Sequence, residues 1–216
     1  MKKNFTEIVF VLDESGSMED LRSDTVGGFN SLIGKQKNEE GDAVVSAVLF
    51  STESHVLYDR VPLENIRRMT EKDYCPNGGT ALLDAVGDAV RHIRNIHKYA
   101  RPDDVPEHTL FIVTTDGMEN SSRKYTAKKV KSMITEQQEK YGWEFVFLGA
   151  NIDSAETAES IGIAPASAVD CFADSVGCTV QYETMSRAVS IARKGIKLSD
   201  CSEWREDADA DIRRRK

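Results

Sequence analysis

Five consecutive apolar residues, Ile8-Val9-Phe10-Val11-Leu12, run without polar interruption and stop at Asp13. An apolar run this short and unbroken reads as a strand buried on both faces, and such strands belong to parallel sheets covered by helices on each side. The pattern recurs at Thr109 to Thr115, which ends in Asp116-Gly117, and at Glu144 to Gly149; Ala166 to Val169 is a candidate last strand.

The segments between these runs carry the other period. Leu21 to Lys37 places Val26, Phe29 and Ile33 on one helical face, and Ala81 to Tyr99 does the same with Leu82, Val86, Ala89, Ile93 and Ile96. Tyr125 to Tyr141 reads as a helix with Val130, Met133, Ile134 and Tyr141 facing inward, followed by a short helix near Ser154 to Ile161 and a long one from Ser175 to Lys194. Gly27 and Gly28 each cost about 1 kcal/mol relative to alanine inside the first helix, which predicts close packing against a neighbour as compensation. Ala43 to Phe50 and Ser54 to Val61 are joined only by Ser51-Thr52-Glu53, so they are expected to pair antiparallel, the second at the sheet edge. The fold class is α/β: an open, mostly parallel, Rossmann-like sheet with one antiparallel edge strand and helices on both faces.

A chain of 216 residues, 40% hydrophobic and 30% charged, suits one soluble globular domain, here residues 1–195. From Glu203 onward charges dominate, so 196–216 is expected to be a charged, mobile tail with little role in the fold. A net charge of −8 argues against nucleic-acid binding. Met1-Lys2-Lys3 before an apolar run resembles the start of a secretion signal, but Glu7 interrupts the run, Asp13 closes it and no small-residue cleavage site follows. With no stretch long enough to span a bilayer, the expected location is the cytoplasm. Cys75, Cys171, Cys178 and Cys201 have neither metal-site spacing nor the density of a disulfide scaffold, and are read as reduced structural thiols. His55, His92, His97 and His108 are scattered, and His92 and His97 lack the i, i+4 spacing of a helical zinc pair, so they are read as solvated surface residues.

Oxygen-bearing side chains gather at what should be one end of the sheet. Asp13, Ser15 and Ser17 follow the first strand, Thr80 precedes a long helix, and Asp116 follows another central strand. Ligands bind at the carboxyl ends of strands in open α/β sheets, and hard cations prefer oxygen donors. Two carboxylates do no more than balance the charge of a divalent ion, and because the other three donors are neutral hydroxyls the ion keeps Lewis acidity and can accept a further carboxylate. Taken singly, Ser17, Asp20 or Thr80 is equally a helix cap; the convergence of five positions favours metal.

Asp13-x-Ser15-x-Ser17, Gly78-Gly79-Thr80 and Thr115-Asp116-Gly117, in this order, resemble the metal-ion-dependent adhesion site of von Willebrand factor A domains, across roughly residues 5 to 195. The resemblance implies a doubly wound α/β fold and a site for Mg²⁺ or Mn²⁺ at Asp13, Ser15, Ser17, Thr80 and Asp116. Ser15, Ser17 and, when a ligand is bound, Thr80 would coordinate directly, with Asp13 and Asp116 acting mostly through water. It also implies a protein partner offering Asp or Glu. By analogy with free-standing members of the family, the chain itself is expected to act as an assembly or substrate-presenting partner of an AAA+ ATPase, or in a stress-response system. Two alternatives stand beside this reading: a metal-dependent hydrolase or phosphatase, disfavoured because the second acid of Asp-x-Asp is Ser15 and no His base pairs with a serine, and a scaffold that holds no metal. Whether Glu14 or Glu119 reaches the site rim stays open.

Overall fold

A computed structural model describes residues 1–215. Its strands are β1 (Lys2–Asp13), β2 (Asp42–Phe50), β3 (Ser54–Pro62), β4 (Pro106–Thr115), β5 (Glu144–Ala150) and β6 (Ala168–Cys171). Its helices are α1 (Arg22–Gln36), α2 (Leu82–Tyr99), α3 (Ala127–Tyr141), α4 (Ser154–Ser160), α5 (Ser175–Arg193) and α6 (Glu206–Arg215). The strands form a single sheet in the order β3-β2-β1-β4-β5-β6, parallel throughout except for the antiparallel β2–β3 pair.

The apolar run of β1 explains the layering. Successive strand residues face opposite sides, so Ile8, Phe10 and Leu12 join a core with Phe29 of α1 and Met185 and Val189 of α5. Val9 and Val11 join a second core with Val86 and Val90 of α2 and Ile134 of α3. The chain leaves β1 toward β2 on one side of the sheet and leaves β4 toward β5 on the other. The carboxyl ends of β1 and β4 therefore flank the topological switch point, where such sheets open a crevice.

Gly28 behaves as the sequence predicts: a Cβ there would stand 2.4 Å from Cδ2 of Tyr182, so the glycine admits the ring of α5. Gly27 meets nothing within 4 Å, so close packing is not the reason for that residue.

Three further expectations need correction. Tyr141 does not face inward; it is 62% exposed, and the place after Val130, Met133 and Ile134 on the buried stripe of α3 goes to Gln137. The helix closes at Gly142, which takes the left-handed cap conformation at φ 66°, so Tyr141 is its last residue. His97 is not a surface histidine. Its Nε2 lies 2.6 Å from Oε2 of the fully buried Glu7, whose Oε1 accepts from Arg60 Nε at 2.7 Å. Arg60 reaches it from a bulged part of β3, at φ 50°. Nor are residues 196–215 of the expected tail outside the fold, residue 216 lying outside the described residues: Trp204 and Ala208 are buried in the α1–α5 core, and α6 lies along α5 and β6. One large aromatic anchors a segment that is otherwise charged, and ion pairs bind the charges, Arg187 to Asp207 at 2.6 Å and Arg215 to both Asp174 and Asp211.

Candidate metal centre

The five sequence-predicted residues converge at the switch point. Asp13 ends β1 with 2% exposure; the Ser15 backbone N–H donates to its Oδ1 at 2.7 Å, and Thr115 Oγ1, from the end of β4, donates to its Oδ2 at 2.5 Å. Asp116 accepts at Oδ1 from Ser17 Oγ at 2.7 Å and from Ser15 Oγ at 3.3 Å, and the two serine hydroxyls are 3.1 Å apart. Thr80 is buried, with its Oγ1 3.6 Å from where a Cβ on Gly117 would stand, so its hydroxyl lies against the residue that follows Asp116. Of the five, only Ser17 is exposed, which leaves the group open on its side.

Loops from three parts of the chain are laced together to hold this arrangement. Gly78 sits at φ 63°, and its carbonyl accepts from Gly16 N–H at 3.2 Å. A Cβ on Gly79 would come within 2.6 Å of Asn120 Oδ1, so only glycine lets the Thr80 loop approach the Asp116 loop this closely. Asn120 Oδ1 in turn accepts from Thr80 N–H at 2.9 Å. Tyr74 OH donates to the Asp13 carbonyl at 2.5 Å from below the site.

Helix capping does not account for the hydroxyls. Neither α1 nor α2 has a side-chain bond from its cap residue. The free amides of α2 are taken instead by Glu119, which accepts from Leu83 N–H at 2.9 Å, and by Ser122, which accepts from Asp84 N–H at 3.0 Å. Glu119 is thus spent on the helix start and on Ser121 and Ser122, while the buried Glu14 faces His55, 3.9 Å away. Thr115, which belongs to the motif without being counted among its five ligands, and Tyr74, Glu119 and Asn120, which lie outside it, support the site. Thr115 was legible as the neighbour of Asp116; the others are brought in by loops whose course no periodicity marks.

Burial pushes the Asp13 carboxyl above the usual range, with Asp116 adding repulsion, against hydrogen bonds from Ser15 and Thr115. Among the described residues no Lys, Arg or His forms an ion pair with Asp13 or Asp116. Nor do three His, Cys, Asp or Glu side chains gather among them as a metal cluster, so the donors on offer are hydroxyls and two carboxylates. Hard, all-oxygen sets of this kind fit Mg²⁺ or Mn²⁺ better than softer ions.

A family model for the von Willebrand factor type A domain matches residues 7–177. The chain belongs to the von Willebrand factor type A family. Domains of this family are generally protein–protein interaction modules, mostly without enzymatic activity. No curated protein matches this von Willebrand factor A domain. Among solved structures it is similar to a von Willebrand factor type A protein from Catenulispora acidiphila, at 15% identity and a TM-score of 0.59, over 86% of this chain and 42% of that one. A second similar structure is proximal thread matrix protein 1 from the mussel byssus with a zinc-occupied MIDAS motif, at 13% identity and a TM-score of 0.58, over 86% and 46%. The von Willebrand domain of a type V pili tip protein from Porphyromonas gingivalis aligns at 11% identity and a TM-score of 0.59, over 87% and 95%. At these identities the likeness is one of fold. The chain spans less than half the length of the first two.

Proposed function

We propose that this domain is a divalent-metal-dependent interaction module whose adhesion site, formed by Asp13, Ser15, Ser17, Thr80 and Asp116, holds Mg²⁺ or Mn²⁺ and grips an Asp or Glu of a protein partner. One observation carries the reading: two carboxylates and three hydroxyls from three segments meet at the switch point, and among the described residues no basic side chain forms an ion pair with Asp13 or Asp116. A cation bound there supplies the positive charge that a partner carboxylate seeks. Ser15 and Ser17 offer neutral oxygens, and Asp13 is pinned by Ser15 and Thr115 so that it cannot turn away. Ser17 faces solvent, and Met118, 77% exposed two residues after Asp116, offers a partner an apolar contact beside the charge. The family resemblance points to a module that serves as an assembly or substrate-presenting partner of an AAA+ ATPase, or that acts in a stress-response system. Four free thiols suit a cytoplasmic location.

The test is direct. Titration with Mg²⁺ or Mn²⁺ should raise the thermal midpoint of the wild type, by about 2.7 kcal/mol of stability at a hundredfold excess over Kd. The Ser15→Ala/Ser17→Ala variant should keep its fold and lose that response. A wild type with no calorimetric heat and no stabilisation at millimolar metal would be a scaffold, and the proposal would fall.

A further inference from the structure

Between Asn120 and Thr135 the chain carries five basic side chains, Arg123, Lys124, Lys128, Lys129 and Lys131, and no acidic one, on a molecule of net charge −8. All five are exposed. Lys124 pairs with Asp88 at 2.9 Å, and the Lys131 ammonium donates to the Glu159 carbonyl at 3.0 Å. Arg123, Lys128 and Lys129 form no ion pair among the described residues. The carboxylates of the flanking helices are engaged elsewhere: Asp84 accepts from the backbone amides of Arg123, Lys124 and Tyr125, Asp88 pairs with Arg91 and Lys124, and Glu136 pairs with Lys140. Helix stability does not ask for this charge. Lys128 and Lys129 lie in the first turn of α3, directly behind its Thr126 cap, where the helix dipole is positive and cations are unfavourable.

The patch adjoins the metal centre. Thr80 N–H donates to Asn120 Oδ1 at 2.9 Å, and Asn120 and Ser121 donate their own N–H groups to the Thr80 carbonyl at 3.0 and 3.2 Å. The loop that carries Arg123 is thereby tied to the loop of a candidate metal donor, and Arg123 follows Ser121 by at most about 7 Å of chain. Because α3 runs from the carboxyl end of β4 back to the start of β5, its first turn stands at the same end of the sheet as Asp13 and Asp116.

The surroundings say which anion. A nucleic acid would want an open aromatic face, but Tyr125, the one aromatic of this segment, is half-buried, with its hydroxyl on Asp88 and its ring so close to Gly87 that a Cβ there would stand 2.7 Å away. The acidic remainder of the surface also repels a long polyanion. A short acidic stretch of protein meets only the patch and the ion beside it. We infer that the partner gripped at the metal centre presents an acidic segment and not one isolated acid: its first Asp or Glu binds the ion, and further carboxylates about two to four residues along the extended segment meet Arg123, Lys128 and Lys129. This rests on the reading of the metal centre given above and adds the partner's charge pattern to it.

Fluorescence anisotropy of the full chain tests it with labelled acetyl-Asp-Gly-Gly-Glu-Glu-Glu-amide and a control peptide with glutamine in place of each glutamate. In millimolar Mg²⁺ at low salt the acidic peptide should bind about tenfold more tightly than the control, and added salt should shrink the difference. Arg123→Gln/Lys128→Gln/Lys129→Gln should bind both peptides alike, near the wild-type affinity for the control, and keep the rise in thermal midpoint with Mg²⁺. With that rise intact, no binding of the acidic peptide, equal wild-type affinities for the two peptides, or an advantage that survives the triple substitution would overturn the proposal and leave the metal centre standing. Equally tight binding of single-stranded oligothymidylate or phosphatidylserine vesicles, lost in the triple variant, would overturn it by giving the patch another ligand. If Mg²⁺ neither stabilises the chain nor strengthens binding of either peptide, the reading of the metal centre falls and this inference falls with it.

Discussion

Gly27 and Gly28 are adjacent in sequence and carry the same intrinsic helix penalty, yet the structure gives them opposite meanings. A methyl group at Gly28 would collide with the Tyr182 ring at 2.4 Å, whereas one at Gly27 meets open space. Gly28→Ala is therefore expected to destabilise the fold by about 1–3 kcal/mol through overpacking. Gly27→Ala should stabilise it by up to about 1 kcal/mol through helix propensity. Urea unfolding of the two variants measures both, and equal effects would contradict the packing argument. The same contrast of neighbours holds at Glu7 and His97. Glu7 alternates with Val9 and Val11 on the α2 face of β1, and His97 lies four residues beyond Ile93 on the stripe of α2. Both periods were present in the sequence, but a charged residue and a histidine on buried faces become legible as a pair only when the two elements are stacked.

At the scale of elements, the start of α2 depends on the loop after β4. Asp84 accepts from the backbone N–H groups of Arg123, Lys124 and Tyr125, while Glu119 and Ser122 take amides of the first turn of α2. Burial acts to raise the Asp84 carboxyl, but the amides of Arg123, Tyr125 and Lys124 together outweigh it and hold the group below its usual range. Because the folded-state value is the lower one, this stabilisation is fully present above the unfolded value of about 4 and is lost as pH falls through the folded value. Asp84→Asn should therefore lower stability at neutral pH and leave it less dependent on pH in the acid limb than the wild type. Chemical denaturation across that range checks the sign; parallel curves for the two proteins would refute it. Strand and helix positions in this region follow from apolar period, with α3 starting at Ala127 behind its Thr126 cap, two residues later than the period suggests. The docking of the loop does not follow, because its polar residues bond to a helix far away in sequence.

The whole molecule depends on a segment that composition alone would discard. Trp204 is 1% exposed and, with Ala208, closes the core that α1 and α5 form over the sheet. Trp204→Ala is expected to cost about 3–5 kcal/mol, on the order of a 10 °C loss of thermal midpoint for a chain of this size. A change within a degree or two would return residues 196–215 to the role of a dispensable tail. Arg215 lies 4.0 Å from the Phe172 ring centroid and pairs with Asp174, so α6 also steadies the connection between β6 and α5.

Periodicity and motif order were enough to specify the mixed sheet, its antiparallel edge and the carboxyl ends at which Asp13 and Asp116 emerge, because each rests on information within a dozen neighbouring residues. Only the tertiary structure decided that Ser15 and Ser17 bond to Asp116 rather than cap a helix, that Glu119 serves α2, that His97 meets Glu7, and that Trp204 belongs to the core. Those outcomes turn on which polar groups lose water and which distant partners replace it, a balance set by elements packing together and not by any one segment.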